Sequence, residues 1–173
     1  MRHMPLVQLS IVAFAGLFVA MQASAQIYQL DTNLDPFQEV PPHNTPGYGS
    51  ADLTLAGTTL TITAGTGLYA DLLAGATSVV LADAAVGANG PTIGSFNLDT
   101  YGNTSGTFSG SVTGLTNQQV MDVLAGDTYI NIRDSVFPSG EIRGQIYTVP
   151  EPGSMAVLGG IGVLALRRRH ARA

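Results

Sequence analysis

The chain has 173 residues, no cysteine and a formal net charge of −5 at pH 7. Over residues 26–150, two arginines and no lysine stand against eleven aspartates and glutamates, which gives this stretch a net charge of −9. Because nucleic-acid binding requires clustered Lys and Arg, this balance predicts that nucleic acid is not a partner. No disulfide can form, so the stability of the domain must come from its core.

The N-terminal residues have the pattern of a secretory signal peptide. A basic start and an apolar run, densest over residues 11–20, precede a small-residue cleavage site of the A-x-A kind at Ala23 and Ala25. We predict cleavage after Ala25, which leaves Gln26 as the new N-terminus. Residues 1–25 are therefore expected to lie outside the fold, and the protein is expected to be exported.

Short runs in which apolar residues alternate with Thr, Ser and Asp, separated by Gly, Asn and Pro, predict an all-β domain over residues 26–148. In residues 51–65, Leu53 and Leu55 are predicted to share one face and Leu60 and Ile62 another, with Gly57-Thr58 as the turn of a hairpin. Further strands are predicted at about 26–31, 76–82, 92–98, 105–112, 127–133 and 140–147.

One segment departs from the strand pattern and predicts a short helix. Thr116 stands as an N-cap with Gln119 three residues later, and Gly126 marks the C-terminal end. The apolar stripe between them consists of Val120, Val123 and Leu124. About eight strands and one small helix indicate a β-sandwich or barrel with Greek-key-like connections.

The C-terminal residues combine a rigid motif, a short apolar run and an arginine cluster. The thirteen residues 154–166 span only ~20 Å as a helix, against a hydrocarbon core of ~30 Å, so transient membrane insertion is expected rather than a permanent span. A tail helix docked on the domain is the alternative, but the run has no amphipathic face.

This tail resembles the PEP-CTERM sorting signal of Gram-negative bacteria. The motif residues are Val149, Pro150, Glu151, Pro152, Arg167, Arg168 and Arg169. The resemblance covers about the last 25 residues, 149–173, and implies processing by an exosortase, a membrane transpeptidase-like protease. It also implies an association with extracellular polysaccharide and biofilm.

The stretch GDTYINIRDSVFPSGEIRGQIY, residues 126–147, resembles the C-terminal signature of the CHRD domain. The matching positions are Gly126, Tyr129, Asn131, Pro138, Gly140, Glu141, Ile142, Arg143, Gly144 and Gln145. EVPP at 39–42, Gly49 and GANGP at 87–91 match earlier positions of the pattern. The resemblance covers about residues 28–147.

The resemblance also identifies positions where family members usually carry histidine. Here these positions are Val79, Leu81 and Arg133. Two histidines on one strand face with a third across the sheet would form a zinc or copper site. This chain has lost all three, so no metal or other cofactor is expected, and His43 is the one histidine between residues 26 and 150.

Three charged residues are the candidates for a binding site. Glu141 and Arg143 are predicted to project from one strand face, and Arg133 approaches them if the last two long strands form a hairpin. The cluster is interpreted either as a structural ion pair or as a contact for an acidic sugar.

No catalytic residue is assigned. The predicted function is an exported, non-enzymatic structural or binding module of the cell envelope, outer surface or extracellular matrix of a Gram-negative bacterium. Its expected partners are exosortase and extracellular polysaccharide. Two alternatives remain: a degenerate histidine-metal-site protein kept as a scaffold, and a polysaccharide-acting enzyme, which would need two carboxylates in a cleft.

Overall fold

The computed structural model describes residues 26–150, which form eleven strands, one α-helix and a 3-10 turn at Pro36–Gln38. The strands are β1 (Ile27–Leu34), β2 (Tyr48–Ala56), β3 (Thr59–Ile62), β4 (Leu68–Ala70), β5 (Ala76–Asp83), β6 (Thr92–Leu98), β7 (Gly106–Ser109), β8 (Ser111–Val112), β9 (Thr128–Asp134), β10 (Ile142–Gln145) and β11 (Tyr147–Thr148). The helix, α1, is Asn117–Ala125.

The predicted all-β, sandwich-like fold is confirmed, and the strand pairs are antiparallel. The main hydrogen-bonded order is β10-β9-β5-β6-β7-β4-β2-β1-β11, with β3 and β8 branching from β2. Neighbours such as β5 and β9, or β4 and β7, are far apart in sequence. The sheet therefore depends on long-range pairing, as expected for Greek-key-like connections.

The described residues contain eleven strands where eight were expected, because two predicted strands are interrupted and because β4, Leu68–Ala70, was not predicted. Gly110, with φ of +107°, separates β7, which pairs with β4 and β6, from β8, which pairs with β3. Ile146 is buried in the core between β10, which pairs with β9, and β11, which pairs with β1. The chain changes its strand partner at both points.

The hairpin over residues 51–65 forms as predicted, but its side chains are distributed between the two faces differently from the prediction. Leu53 is opposite Ile62, and Leu55 is opposite Leu60. All four side chains are buried in one core. The prediction of two different faces is wrong, because residues directly opposite in an antiparallel pair lie on the same side of the sheet.

The short helix α1 also forms as predicted. The Thr116 hydroxyl accepts a hydrogen bond from Gln119 N, the Gln119 side chain accepts one from Thr116 N, and Gly126 takes the left-handed conformation. Val123 is fully buried, with Val120 and Leu124 packed against the core. Local sequence fixes both ends of this helix because its caps are made within one turn.

The last strands lie close to the first. Backbone hydrogen bonds in both directions join Arg143 to Asp35, the residue that follows β1. A Cβ on Gly144 would collide with the Thr32 hydroxyl and the backbone of Asn33. Only glycine allows β1 to approach β10 at this point.

Among residues 26–150, no helix has the length and apolar character needed to cross a membrane. The predicted signal peptide with Ala23 and Ala25 lies outside the described residues. So does the sorting signal from Glu151 to Arg169, whereas Val149 and Pro150 end the described chain.

Candidate functional site

One face of the β5-β9-β10 sheet packs into the apolar core, and the opposite face carries polar side chains. Ile130 and Ile132 on β9 are in the core cluster. Tyr129, Asn131 and Arg133 alternate with them and therefore lie on the opposite face. Asn131 is directly opposite Arg143 on β10, so the two strands present their polar residues together.

Arg143 is the largest of the fully buried side chains of the described residues, at 1 % exposure. Its guanidinium carbon lies 3.7 Å from the centre of the Tyr129 ring. It donates hydrogen bonds to Ala88 O at 2.9 Å, to Gln145 Oε1 at 3.2 Å and to Asn89 Oδ1 at 3.4 Å. A buried cation needs such partners, and these attach the loop 84–91 to the polar face.

Gln145 continues this network. Its side-chain amide donates to Gly126 O at 2.7 Å and to Ala84 O at 2.9 Å, while its backbone N–H donates to Gln38 Oε1 at 3.1 Å. The loops after β1, after β5 and after α1 are thereby connected to one strand. The polar face is rigidly built around a shared set of hydrogen bonds.

A cavity of about 290 Å³ opens between this face and the loop 39–43. We call it the cleft, and its polar wall consists of Glu39, His43, Asn131 and Arg133. Glu39 and Asn131 are only 5 % and 4 % exposed. Among the described residues, Glu39 Oε1, Asn131 Oδ1 and Arg133 Nε have no hydrogen-bond partner.

The charge state of Glu39 follows from its position in the cleft. Burial raises the pKa of its carboxyl group to about 7, and the positive charges of Arg143 and Arg133 oppose that rise. The carboxyl group therefore carries its proton part of the time at neutral pH. Glu39 is thus the acidic neighbour of Arg133 and Arg143, and the sequence did not predict this role for it.

A second cavity of about 380 Å³ lies on the other side of Glu39, which lines both. Its wall includes Arg143 together with the exposed side chains of Phe37 and Val86. The site is thus a polar cleft next to a more apolar hollow.

His43 lies at the edge of the cleft. Its ring centre is 4.3 Å from that of Phe137, and its backbone N–H donates to Pro36 O at 2.9 Å. The histidine is a loop residue, as predicted, and it contributes a titratable ring to the cleft wall.

Glu141 lies elsewhere. Both of its carboxyl oxygens accept a hydrogen bond from Leu73 N at 3.0 Å. The prediction that Glu141 contacts the two arginines is wrong, because the residue precedes the first residue of β10 and its side chain extends to the β4–β5 loop. The strands that carry Arg133 and Arg143 do pair as a hairpin, with Asn131 directly opposite Arg143.

Glu141 is instead paired with a second carboxyl group. Burial, followed by the hydrogen bond and the charge of Asp134, raises the pKa of Glu141 to about 7. Asp134 accepts hydrogen bonds from the backbone N–H groups of Ala74, Val136 and Phe137. We call Asp134 and Glu141 the carboxyl pair; it fixes two loops and lines neither cavity.

The three positions assigned to the family's histidines do not converge. Val79 and Leu81 are buried in the apolar core, opposite Ile132 and Ile130, whereas Arg133 is on the polar face. Histidines there would not form one site, because alternate residues of β9 point to opposite faces. Within the described part of the chain, no three His, Cys, Asp or Glu side chains form a metal-binding group.

Sequence reasoning found Arg133 and Arg143 but missed Glu39, Asn131 and Tyr129 as a group. All three belong to stretches that carry the family resemblance, so the signal was present. Their proximity depends on contacts between residues about 90 positions apart in the chain, which a local pattern does not contain.

A family model described as the CHRD domain matches residues 30–146, more than half of the chain. Among curated proteins none matches, and no solved structure matches.

Proposed function

Because the chain belongs to the CHRD domain family, we propose that it is an exported, non-enzymatic module of the cell envelope or extracellular matrix. In this proposal an exosortase processes the tail, and the β-domain binds or organises other matrix components. Fold membership alone does not determine what a domain binds, so the proposal depends on the two ends of the chain and on the cleft.

The cleft is the observation that supports a binding role. It combines a cavity, a permanent cation and two nearly buried polar side chains with unpartnered atoms. A polar atom buried without a partner costs about 1–3 kcal/mol. A domain that served only as a spacer would gain stability by losing these groups.

The carboxyl pair is the feature that an enzyme interpretation would need to use. A glycoside hydrolase requires two carboxyl groups on either side of the bond that it cleaves. Asp134 and Glu141 are close together, but they are 1 % and 0 % exposed and accept backbone hydrogen bonds. Glu39, by contrast, is the one carboxyl residue in the wall of the described cleft. This arrangement favours binding over hydrolysis.

The test of the export part is the intact mass of the protein in each cell fraction of its native host. We expect a mass that begins at Gln26 and ends near Pro150–Pro152, found in the envelope or matrix fraction. An uncut chain in the cytoplasm would contradict the proposal.

Removal of the positive charges tests the sorting segment. Replacing Arg167, Arg168 and Arg169 by glutamine should impair membrane retention of the precursor, because positive flanks hold a short apolar segment on the cytoplasmic side. The matched control replaces the same three residues by lysine and should be processed like the parent. Unchanged mass and location in the glutamine variant would count against a sorting role.

A further inference from the structure

The polar atoms of the cleft require an explanation that packing does not give. Glu39 Oε1 and Asn131 Oδ1 are buried acceptors, and Arg133 Nε is a buried donor, all without a partner among the described residues. Buried polar groups in folded proteins nearly always have a hydrogen-bond partner. Seven side-chain atoms of the described residues are buried without a partner, and three of them belong to residues in the wall of this one cavity. Their grouping there indicates a ligand with both accepting and donating groups.

The charges around the cleft determine whether that ligand is an anion or a cation. Arg133 and Arg143 are the two basic side chains between residues 26 and 150, and both act on Glu39 at the cleft. The rest of this stretch is strongly acidic. The cleft is therefore the place where this domain attracts an anion, and a metal cation would meet repulsion from two guanidinium groups.

Arg133 is positioned to bind a carboxylate. One of its terminal nitrogens, Nη2, donates to Thr92 Oγ1 at 3.2 Å, which holds the guanidinium plane while Nε remains free. The planar edge of a guanidinium group matches the two oxygens of a carboxylate. Fixing the side chain in advance reduces the entropy lost on binding.

Asn131 and Glu39 are suited to hydroxyl groups. Asn131 donates its amide to Ser139 O at 3.2 Å, so its oxygen is the atom that remains to accept a hydrogen bond. The Glu39 carboxyl group holds a proton more readily than an exposed glutamate does, because burial raises its pKa to about 7. In that form it donates to an oxygen and does not repel a nearby anion.

The size of the cleft limits the ligand to a small group. Its volume of about 290 Å³ is at the lower limit of the ~300–1,000 Å³ typical of small-molecule sites. The adjoining hollow of about 380 Å³ shares Glu39 and Val40 with it. The two spaces together accommodate a short segment whose charged unit enters the cleft.

We propose that the cleft binds an acidic saccharide, with Arg133 binding the carboxylate of a uronate unit and with Asn131 and Glu39 binding its hydroxyl groups. This inference rests on the proposed function as a module that acts among extracellular polymers. It identifies the substrate class that such a module would recognise.

The test measures binding of digalacturonate to the full chain, purified in a sugar-free polyoxyethylene detergent, by calorimetry at pH 6 and low salt. We expect saturable binding at least tenfold tighter than that of neutral galactobiose or of acetate. Arg133→Gln should weaken the binding at least tenfold while the melting temperature stays close to that of the parent. Thr58→Asp, in the exposed β2–β3 turn, changes the net charge equally and should bind like the parent.

A pH series tests the part assigned to Glu39. The titratable or charged groups that face it are His43, Tyr129, Arg133 and Arg143. Binding by the parent should weaken several-fold from pH 6 to pH 8 as the Glu39 proton is lost, whereas Glu39→Gln should bind equally at both values. Loss of the pH dependence in His43→Gln but not in Glu39→Gln would overturn this assignment.

The other outcomes of the binding experiment each contradict a specific part of the proposal. Equal binding of galactobiose would overturn the carboxylate contact, and equal binding of acetate would overturn the saccharide. Undiminished binding by Arg133→Gln would place the site elsewhere. If digalacturonate does not bind the parent at all, the inference fails, whereas the export proposal is judged separately by the masses in the cell fractions.

Discussion

Two buried carboxyl groups, Glu39 in the cleft and Glu141 in the carboxyl pair, have the same raised pKa of about 7 and opposite surroundings. In both cases burial is the largest cause. The Glu141 oxygens accept hydrogen bonds from Leu73 N, whereas Glu39 Oε1 has no partner among the described residues. A raised pKa therefore does not by itself separate a structural carboxyl group from a binding one, whereas the hydrogen-bond partners of the carboxyl oxygens do.

The two arginines of the domain both have an unpartnered Nε but differ in the rest of their surroundings. Arg143 is 1 % exposed and is held by Tyr129 and three hydrogen-bond acceptors. Arg133 is partly exposed, and its guanidinium group donates a hydrogen bond to Thr92 Oγ1. We infer that Arg143 stabilises the structure of the site and that Arg133 contacts the ligand.

The largest expected effect is that of Arg143→Ala. The change leaves Ala88 O and Gln145 Oε1 without a donor and opens a space over Tyr129, so the free energy of unfolding should fall by about 3–5 kcal/mol. Urea denaturation measures this loss. Arg143→Lys should recover only part of it, because an ammonium group lacks the planar fork. A loss below ~1 kcal/mol in Arg143→Ala would contradict the scaffold assignment.

The pH dependence of stability gives an intermediate effect. Glu39 and Glu141 bind a proton more tightly in the folded protein, where their pKa is about 7, than at the ordinary value of 4.5. Their contribution is fully present below pH 4.5 and is lost as the pH rises through 7, so the free energy of unfolding should decline between about pH 5 and pH 8.

Urea denaturation at several pH values checks this decline. Glu39→Gln and Glu141→Gln should each remove part of it, because glutamine does not titrate. His43→Gln is the control for the other titratable ring of the cleft. Stability that rises over this interval in the parent would contradict the raised pKa values.

The smallest expected effect is that of Arg133→Gln on stability. The side chain is partly exposed, so the free energy of unfolding should change by no more than ~0.5 kcal/mol. Thermal denaturation beside Thr58→Asp, which has the same charge change, is the measurement. A loss comparable to that of Arg143→Ala would mean that both arginines belong to the scaffold.

Local chemistry explains which parts of the fold were predictable. The ends of α1 follow from Thr116, Gln119 and Gly126, which interact within one turn, and the β2–β3 hairpin follows from the Gly57-Thr58 turn. The interruption at Ile146 was not predictable, because the apolar alternation of residues 140–147 continues through it. The chain changes partners there as a consequence of β1, more than a hundred residues earlier.

The site was less predictable than the fold for a related reason. Alternation predicted that Glu141 and Arg143 share a face, but Glu141 stands outside β10 and binds Leu73. The alignment of Val79 and Leu81 with histidines of one site did not anticipate that the period of β5 puts both residues in the core. Glu39 comes close to residues of β9 and β10 only once the loops fold over the sheet.

Two matched truncations, Glu141→Ala and Glu39→Ala, separate the carboxyl pair from the cleft when they are compared by urea denaturation at pH 6. Glu141→Ala leaves Leu73 N and Asp134 without their partner and should lower the free energy of unfolding by about 1–3 kcal/mol. Glu39→Ala removes a carboxyl group whose Oε1 has no partner, so the free energy of unfolding should stay unchanged or rise by up to about 1–3 kcal/mol. A loss in Glu39→Ala as large as that in Glu141→Ala would contradict the claim that the cleft is kept for binding and the carboxyl pair for folding.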